Sequence, residues 1–139
     1  MIQVIVDTGP LVAILSENDA AHKWARTVFT ELEPPFFTCD VVIAEAYDLL
    51  MHTRNGANGL MALLETGGLR LSSLAELDPA ALRRSITRYQ NIPMDLADAC
   101  IVRLNELHPK AKVVTIDTDF LIYRRNGRQP IPLIMPPVK

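Results

Sequence analysis

Short β-rich runs alternate with longer amphipathic segments along this chain, and the alternation restricts the folds that the chain can adopt. The runs 4–6 and 113–116 have the length and the β-branched composition of buried strands. Between such runs, apolar residues recur at helical spacing, as they do in residues 19–33. Strands that alternate with helices favour βα units around a parallel sheet. The sequence therefore predicts an α/β fold, with residues 1–139 as a single domain.

The same patterns predict the order of the elements. Strands are expected at residues 2–7, 36–39, 69–71 and 112–116. Pro130 and Pro132 confine any strand in residues 130–135 to a sheet edge. Helices are expected from near Leu11, and then at 19–33, 41–53, 60–65, 79–90 and 95–107, with a loop at 55–59. Asp40 and Asp78 are the expected N-caps of the third and fifth helices.

Composition bounds the class of protein. With 139 residues, 49% of them apolar, the chain can bury a substantial core and is globular rather than disordered. Charges or prolines interrupt every long apolar stretch well before about 18 residues, which argues against a membrane span. The first residues have the pattern of a strand rather than of a secretory signal, so we expect a cytoplasmic protein. Cys39 and Cys100 have no metal-ligand spacing and are expected to be buried free thiols.

Four carboxylates occupy positions where an ionised side chain is costly to bury unless it is paired, hydrogen-bonded or bound to a metal. Asp7 and Asp117 directly follow predicted strands, and Glu45 and Asp98 interrupt segments that are otherwise almost entirely apolar. Ligands of open α/β sheets bind at the carboxyl ends of the strands. Asp7 and Asp117 can therefore meet if the first and fourth strands are neighbours. The alternative for either residue alone is a turn or capping role after a strand.

Helical spacing places the other two acids. Apolar residues lie one helical turn before and after Glu45, which predicts that Glu45 lies on the helix face that packs on the core. The alternative is that Glu45 lies at the edge of this apolar face with its carboxylate in solvent. Asp48 is the weaker candidate in the same helix. Asp95 and Asp98 are three residues apart and share one face of a first helical turn, where the dipole favours anions. An ordinary N-terminal helix acid is the alternative for both, and more so for Asp95.

Convergence of these acids requires a cation. Two carboxylates about 4 Å apart repel by roughly 4 kcal/mol at an effective dielectric of about 20, so four together need protonation or a divalent ion. An all-oxygen site suits Mg²⁺ or Mn²⁺, whereas zinc and copper prefer His or Cys. His22, His52 and His108 are scattered and lack ligand spacing. If the acids converge, the sequence predicts a magnesium or manganese site that hydrolyses a phosphodiester.

The order of the acids resembles a known family. Asp7 lies in VIVDTGPLVAIL, Glu45 in VVIAEAYDLL, Asp98 in MDLADACIV and Asp117 in VVTIDTDF. Together these segments resemble the PIN-domain nucleases, above all the VapC-like toxins of bacterial and archaeal toxin–antitoxin operons. The resemblance extends over essentially the whole chain and implies a single PIN domain, a three-layer αβα sandwich around a parallel sheet of about five strands. It also implies a Mg²⁺- or Mn²⁺-dependent endoribonuclease.

Carried over to this chain, the resemblance implies roles for individual residues. The catalytic, metal-binding acids would be Asp7, Glu45, Asp98 and Asp117. Acidic neighbours expected to add outer-shell ligands are Asp95 and Asp119. Thr115 shares a strand face with Asp117, and its hydroxyl is expected to orient a carboxylate or a water, with a plain core threonine as the equal alternative. Thr8 is expected to act in the same way beside Asp7.

Contacts to RNA phosphates must come from outside the acid cluster. The candidates Arg124, Arg125 and Arg128 flank an expected Asn-Gly turn, with a solvated turn as the equal alternative. Arginines 83, 84 and 88 more often form a solvated helix face. The net charge is −2, and without the four acids 14 basic residues against 12 acidic ones give +2, which permits RNA binding. The resemblance implies a homodimer and a small antitoxin that blocks the acidic pocket.

Other functions make different demands on the sequence. A PIN nuclease of RNA processing or decay would have no antitoxin gene beside its own. A non-catalytic PIN-like module that binds RNA or protein would lack at least one acid, and none is missing. A phosphohydrolase with an aspartyl nucleophile needs a second acid two residues after the first, where this chain has Gly9. A simple α/β interaction domain leaves Glu45 and Asp98 unexplained.

Overall fold

The computed structural model describes residues 2–137, so the first residue and the last two of the predicted domain lie outside the described residues. Within that range a parallel sheet of five strands has the order β3-β2-β1-β4-β7. Its strands are β1 Val4–Val6, β2 Phe36–Cys39, β3 Leu69–Ser72, β4 Lys112–Val114 and β7 Leu133–Ile134. A separate antiparallel hairpin consists of β5 Arg124–Arg125 and β6 Gln129–Pro130. The predicted parallel sheet of about five strands is confirmed, and its last strand lies at an edge, as the prolines required.

Helices cover the sheet and make the fold an α/β sandwich. They are α1 Thr8–Leu15, α2 His22–Glu31, α3 Asp40–Leu50, α4 Gly56–Thr66, α5 Pro79–Arg88 and α6 Leu96–Leu107. Short 3-10 turns cover Leu74–Leu77 and Thr118–Leu121. The first four helices pack on one another, whereas α5 packs on α6, which lies against β1, β2 and β4. No helix within residues 2–137 combines the length and the apolar composition needed to cross a membrane.

The start of α1 differs from the prediction near Leu11. The helix begins at Thr8 with Asp7 as its N-cap. Pro10 is tolerated there because the first-turn N–H groups of a helix have no intrahelical partner. Gly9 is required by packing, since a Cβ atom at that position would lie 2.5 Å from Cγ1 of Ile116. The first turn of α1 therefore starts directly at the end of β1 and close to the end of β4.

Two further local predictions were wrong and one is confirmed. Asp40 is the first residue of α3 rather than its cap, and its carboxylate accepts hydrogen bonds from the backbone of Val41 at 3.0 Å and of Leu74 at 3.1 Å. The expected loop 55–59 is mostly helix, because Asn55 turns the chain in the left-handed conformation and α4 begins at Gly56. Asp78 caps α5 as predicted, accepting from the backbone N–H of Ala80 at 3.2 Å.

The core lies between the sheet and its helices. Ile5 and Val6 of β1, Val113 and Val114 of β4, and Ile101 of α6 are fully buried. Cys39 and Cys100 are free and buried, as the sequence predicted. Because β1 and β4 are central and parallel, the residues that follow them emerge side by side at one edge of the sheet.

Candidate active site

Two predicted acids meet at the carboxyl edge of the central strands. The strands β1 and β4 are neighbours with Val6 opposite Val114, which is the arrangement that the sequence required for Asp7 and Asp117 to approach. The backbone N–H of Asp7 donates to the carbonyl of Val114 at 3.0 Å, so the pairing continues one residue beyond β1. This edge is the place where open α/β sheets bind ligands.

A pocket of about 200 Å³ opens at this edge, and acidic residues dominate its lining. Its lining residues are Asp7, Thr8, Gly9, Glu45, Leu49, Asp95, Asp98, Ile116 and Asp117. The structure thus brings together the four predicted acids with Thr8 and Asp95. Thr115 lies behind the lining, and Asp119 and the three candidate arginines do not line the pocket.

Thr115 connects the two aspartates that follow the strands. Its hydroxyl donates to Oδ2 of Asp7 at 2.8 Å and accepts from the backbone N–H of Asp117 at 3.1 Å. Asp7 is only 6% exposed and Thr115 is fully buried. Thr115, just after β4, therefore fixes Oδ2 of Asp7, and the other carboxylate oxygen takes no part in this hydrogen bond.

Asp98 enters the pocket from the first turn of α6. Asp95 caps that helix, its Oδ1 accepting from the N–H of Asp98 at 2.8 Å, while Oδ2 of Asp98 accepts from the N–H of Asp95 at 3.2 Å. This reciprocal capping box fixes the side chain of Asp98. Asp98 is 9% exposed, whereas Asp95 is exposed at the rim.

Glu45 reaches the pocket from α3, but not from the core-facing stripe that the sequence predicted. The buried stripe of α3 consists of Val42, Ala46 and Leu50, spaced by four residues. Glu45 and Leu49 lie on the adjacent stripe, and both are exposed. A shift of one residue rotates a helical side chain by about 100°, since a turn holds about 3.6 residues. The prediction for the stripe was therefore wrong, and Glu45 stands at the pocket mouth.

Burial and neighbouring negative charges raise the pKa of three carboxyl groups in the pocket. Burial raises the pKa of Asp7 from its ordinary 3.8 to about 6, and the charges of Asp117 and Glu45 add to the rise while the Thr115 hydrogen bond opposes it. Burial, followed by the charge of Asp95, raises the pKa of Asp98 to about 8, with smaller contributions from Asp7 and Asp117. Burial and the charge of Asp95 also raise the pKa of Glu45. Without a cation, full ionisation of these three carboxyl groups is therefore costly at neutral pH.

The donor set fits a hard divalent cation. All the charged groups that line the pocket are carboxylates. Among residues 2–137, no three acidic, histidine or cysteine side chains are already arranged around one metal position. Mg²⁺ does not need such a cage, because it keeps several waters and binds through one or two carboxylates together with substrate phosphates. The crowded carboxylates of this pocket therefore fit a hard divalent ion such as Mg²⁺ or Mn²⁺.

The remaining candidates have other contacts. Asp119 contributes its backbone, whose N–H donates to Oδ1 of Asp117 at 2.9 Å. The guanidinium of Arg124 donates to three backbone carbonyls between residues 121 and 123 at 2.8 to 3.1 Å. Arg125 donates to the carbonyl of Pro109 at 2.7 Å. Arg128 is exposed. Two of the three predicted RNA-binding arginines are therefore already engaged by backbone carbonyls.

Tyr123 was not predicted, and it contacts the pocket from behind. Its hydroxyl donates to the carbonyl of Pro93 at 2.8 Å and lies 3.4 Å from Oδ2 of Asp98. The ring is fully buried and packs edge-to-face against Tyr89 and Phe120. Its one sequence signal is a tyrosine six residues after Asp117, and nothing in that spacing indicates a contact with α6.

Comparisons with known proteins identify the family of this chain. The family model of the PIN domain matches residues 4–126. The chain belongs to the PIN domain family. Ribonuclease VapC26 of Mycobacterium tuberculosis (strain ATCC 25618 / H37Rv) is 29% identical to this PIN domain over 119 residues, which cover 82% of this chain and 86% of the relative.

Solved structures share the fold of this PIN domain. The crystal structure of Mycobacterium tuberculosis VapC20, described as a sarcin-ricin loop cleaving toxin, matches with a TM-score of 0.72 and 17% identity, covering 84% of this chain and 92% of that one. A toxin–antitoxin complex from Klebsiella pneumoniae matches with a TM-score of 0.61 and 16% identity, covering 84% and 88%. The predicted PIN-like α/β sandwich is confirmed.

Proposed function

We propose that this PIN domain is a metal-dependent endoribonuclease, the toxin of a toxin–antitoxin module whose cognate antitoxin blocks the acidic pocket. The observation that carries the proposal is the convergence of Asp7, Glu45, Asp98 and Asp117, from four separate elements, on one pocket at the strand ends. The similarity to a relative named ribonuclease VapC26 supports RNA as the substrate. A similar fold in a toxin–antitoxin complex supports an antitoxin as the partner.

The carboxylates of Asp7, Asp98 and Asp117 would hold Mg²⁺ or Mn²⁺, with Glu45 at the pocket mouth. When bound, such an ion supplies Lewis acidity, which activates water for attack at neutral pH and offsets charge on the phosphate. Thr115 orients Asp7 by donating to its Oδ2, and the N–H of Asp95 orients Asp98. At neutral pH a bound ion would offset the cost of the ionised Asp7, whose pKa is about 6, and would favour loss of the proton from Asp98, whose pKa is about 8.

The rest of the proposal follows the resemblance to VapC-like proteins. Residues 1–139 act as one domain, two copies form a homodimer, and the protein acts on RNA in the cytoplasm. Thr8 and Asp95 line the same pocket as the four acids, which supports an outer-shell role for both. Arg128, exposed and close in sequence to the pocket residues, is the one of the three predicted arginines left to contact RNA.

The test is cleavage of total cellular RNA by the purified protein in Mg²⁺, Mn²⁺ or chelator, followed by mapping of the cut ends. We expect discrete cuts with either metal and none with chelator. Asp98→Asn provides the matched inactive control, because it changes a pocket carboxylate to an amide of the same size. Equal cutting by the wild type and by Asp98→Asn, or cutting that chelator leaves unchanged, would contradict the proposal.

The antitoxin is tested separately. If a small protein is encoded immediately upstream of this gene, we expect its co-purification with the PIN domain and loss of RNA cleavage in the complex. Cleavage that persists at full rate in a stable complex would exclude inhibition at the acidic pocket and favour a nuclease of RNA processing or decay.

A further inference from the structure

A second concavity, larger than the acidic pocket, lies at the other end of α1 and α3. It has a volume of about 1080 Å³ and is lined by the end of α1, by two residues of α2 and by the turn that follows α3. Two arginines, Arg26 and Arg54, line it together with the imidazole rings of His22 and His52, and Glu17 is the carboxylate among the described lining residues. We call it the cationic pocket.

The arginines of the cationic pocket are available to a ligand. Both Arg26 and Arg54 are exposed. The ion pair found within residues 2–137 joins Arg103 to Glu106 and involves neither of them. In the described part of the chain, the guanidinium groups of Arg26 and Arg54 donate to no backbone carbonyl, whereas those of Arg124 and Arg125 do. A guanidinium that is not engaged offers the planar fork of donors that binds a phosphate through two oxygens.

The two pockets share one pair of helices. Thr8 and Gly9, in the first turn of α1, line the acidic pocket, whereas the last turn of α1 lines the cationic one. On α3, Glu45 lines the acidic pocket, and His52 lies just beyond the C-terminal end of the same helix. The eight residues of α1 rise by about 12 Å. The two pockets therefore lie at opposite ends of α1, a separation that a short stretch of single-stranded RNA can span.

The wall of the cationic pocket is held rigidly. Nδ1 of His22 donates to the carbonyl of Ala13 at 2.7 Å, which ties α2 to α1. The hydroxyl of Thr53 donates to the carbonyl of Leu50 at 2.7 Å, which closes the turn after α3. Gly56 is buried against Thr53 with no room for a Cβ atom. The cationic side chains are therefore presented from fixed backbone, as a preorganised site requires.

We propose that the cationic pocket binds a backbone phosphate of the RNA strand whose cleaved bond lies at the acidic pocket. The inference rests on the proposed ribonuclease function and adds where the polyanion is held. A cluster of carboxylates repels RNA, so affinity must come from cations elsewhere on the surface. The cationic pocket supplies guanidinium and imidazole groups, with hydroxyl and amide groups of Ser16, Thr53 and Asn55 beside them.

The test is the salt dependence of RNA binding. A short fluorescein-labelled single-stranded RNA is titrated in chelator with the wild type, Arg26→Gln, Arg54→Gln and the double variant, and affinity is followed by anisotropy. Each substitution is expected to weaken binding and to reduce the slope of log affinity against log salt by about 0.7, the value for one phosphate contact to a single strand. Lys110→Gln is the matched control, because it removes an exposed positive charge just before β4 and away from the carboxyl ends of the strands. It is expected to change neither the affinity nor the slope. Arg54→Lys is expected to keep the slope, because it keeps the charge.

A second measurement separates a remote phosphate site from a general loss of activity. With metal, the double variant is expected to have a raised KM on a long RNA and an unchanged KM on a dinucleotide, which is too short to span about 12 Å. An unchanged slope and KM on long RNA, in a wild type that cleaves RNA, would overturn the cationic pocket alone. Equal losses on both substrates would also overturn it. A wild type that does not cleave RNA under any metal condition would overturn the proposed function instead.

Discussion

Replacing Asp7 with asparagine is expected to stabilise the metal-free protein. Burial raises the pKa of this carboxyl from 3.8 to about 6, so the folded state prefers its protonated form. Below pH 3.8 the group is protonated in the folded and the unfolded chain, and no penalty exists. The penalty grows as the pH rises and is complete above about pH 6. The difference between 6 and 3.8 corresponds to at most about 3 kcal/mol of unfolding free energy at pH 7.

The neutral amide of Asp7→Asn removes this penalty and keeps an oxygen that accepts from Thr115. Thermal unfolding in chelator is expected to show a Tm above that of the wild type by on the order of 10 °C at pH 7. The two proteins are expected to converge near pH 4, where the wild-type carboxyl is protonated. Asp48→Asn removes the same charge at an exposed position of α3 and is the matched control. Its Tm is expected to stay close to that of the wild type at both pH values.

Metal is expected to remove most of the stability difference between the two proteins. An ion present at about 100 times its Kd stabilises the folded wild type by about 2.7 kcal/mol, which nearly offsets the penalty at Asp7. The variant is expected to gain little from Mg²⁺ or Mn²⁺ and to cut no RNA. An Asp7→Asn protein no more stable than the wild type in chelator at pH 7 would refute the account of Asp7 as a destabilised anion. A full metal-induced gain in that variant would refute its role as a ligand.

Three further substitutions test the surroundings of the pocket. Thr115→Val leaves an oxygen of Asp7 and the N–H of Asp117 without their hydrogen-bond partner. We therefore expect the free energy of unfolding in urea at pH 7 to fall by about 1 to 3 kcal/mol. An unchanged stability would contradict the bridging role of Thr115. Tyr123→Phe keeps the buried ring but removes the hydroxyl beside Asp98, and we expect the Kd for metal to rise roughly tenfold, as measured by thermal shift. Tyr89→Phe is the control: the hydroxyl of Tyr89 accepts from the N–H of Arg124, so its loss is expected to leave the Kd for metal unchanged. Gly9→Ala places a Cβ atom 2.5 Å from Cγ1 of Ile116 and is expected to cost about 1 to 3 kcal/mol in the same urea assay. An unchanged stability would contradict the packing requirement for glycine at this position.

The strand-end acids could be predicted from the sequence because their positions depend on local patterns. A β-branched run followed by aspartate predicts both a strand and its end, and parallel strands bring their ends to one edge. Asp98 was found by the same kind of local signal, an acid within an apolar helical segment. These signals need no knowledge of packing beyond the sheet rule.

What the sequence could not predict depends on tertiary contacts. The sequence predicted Glu45 on the core-facing side of α3, whereas the buried side is offset from it by one residue. Apolar residues before and after Glu45 are compatible with either side of the helix, so the pattern could not decide between them. The engagement of Arg125 depends on a carbonyl sixteen residues earlier, at Pro109. The contact of Tyr123 with Asp98 spans twenty-five residues. Helical and strand periodicity carries no information on pairings at such separations.

The capping box at the start of α6 makes asparagine an unusually severe replacement for Asp98. Oδ2 of Asp98 already accepts from the backbone N–H of Asp95, and that bond needs an acceptor. An asparagine at position 98 that keeps this bond turns its oxygen toward residue 95, and its NH₂ group then takes the place of Oδ1 of Asp98. The substitution would thus replace an oxygen that could bind the proposed ion with an NH₂ group that cannot, while the start of α6 stays intact.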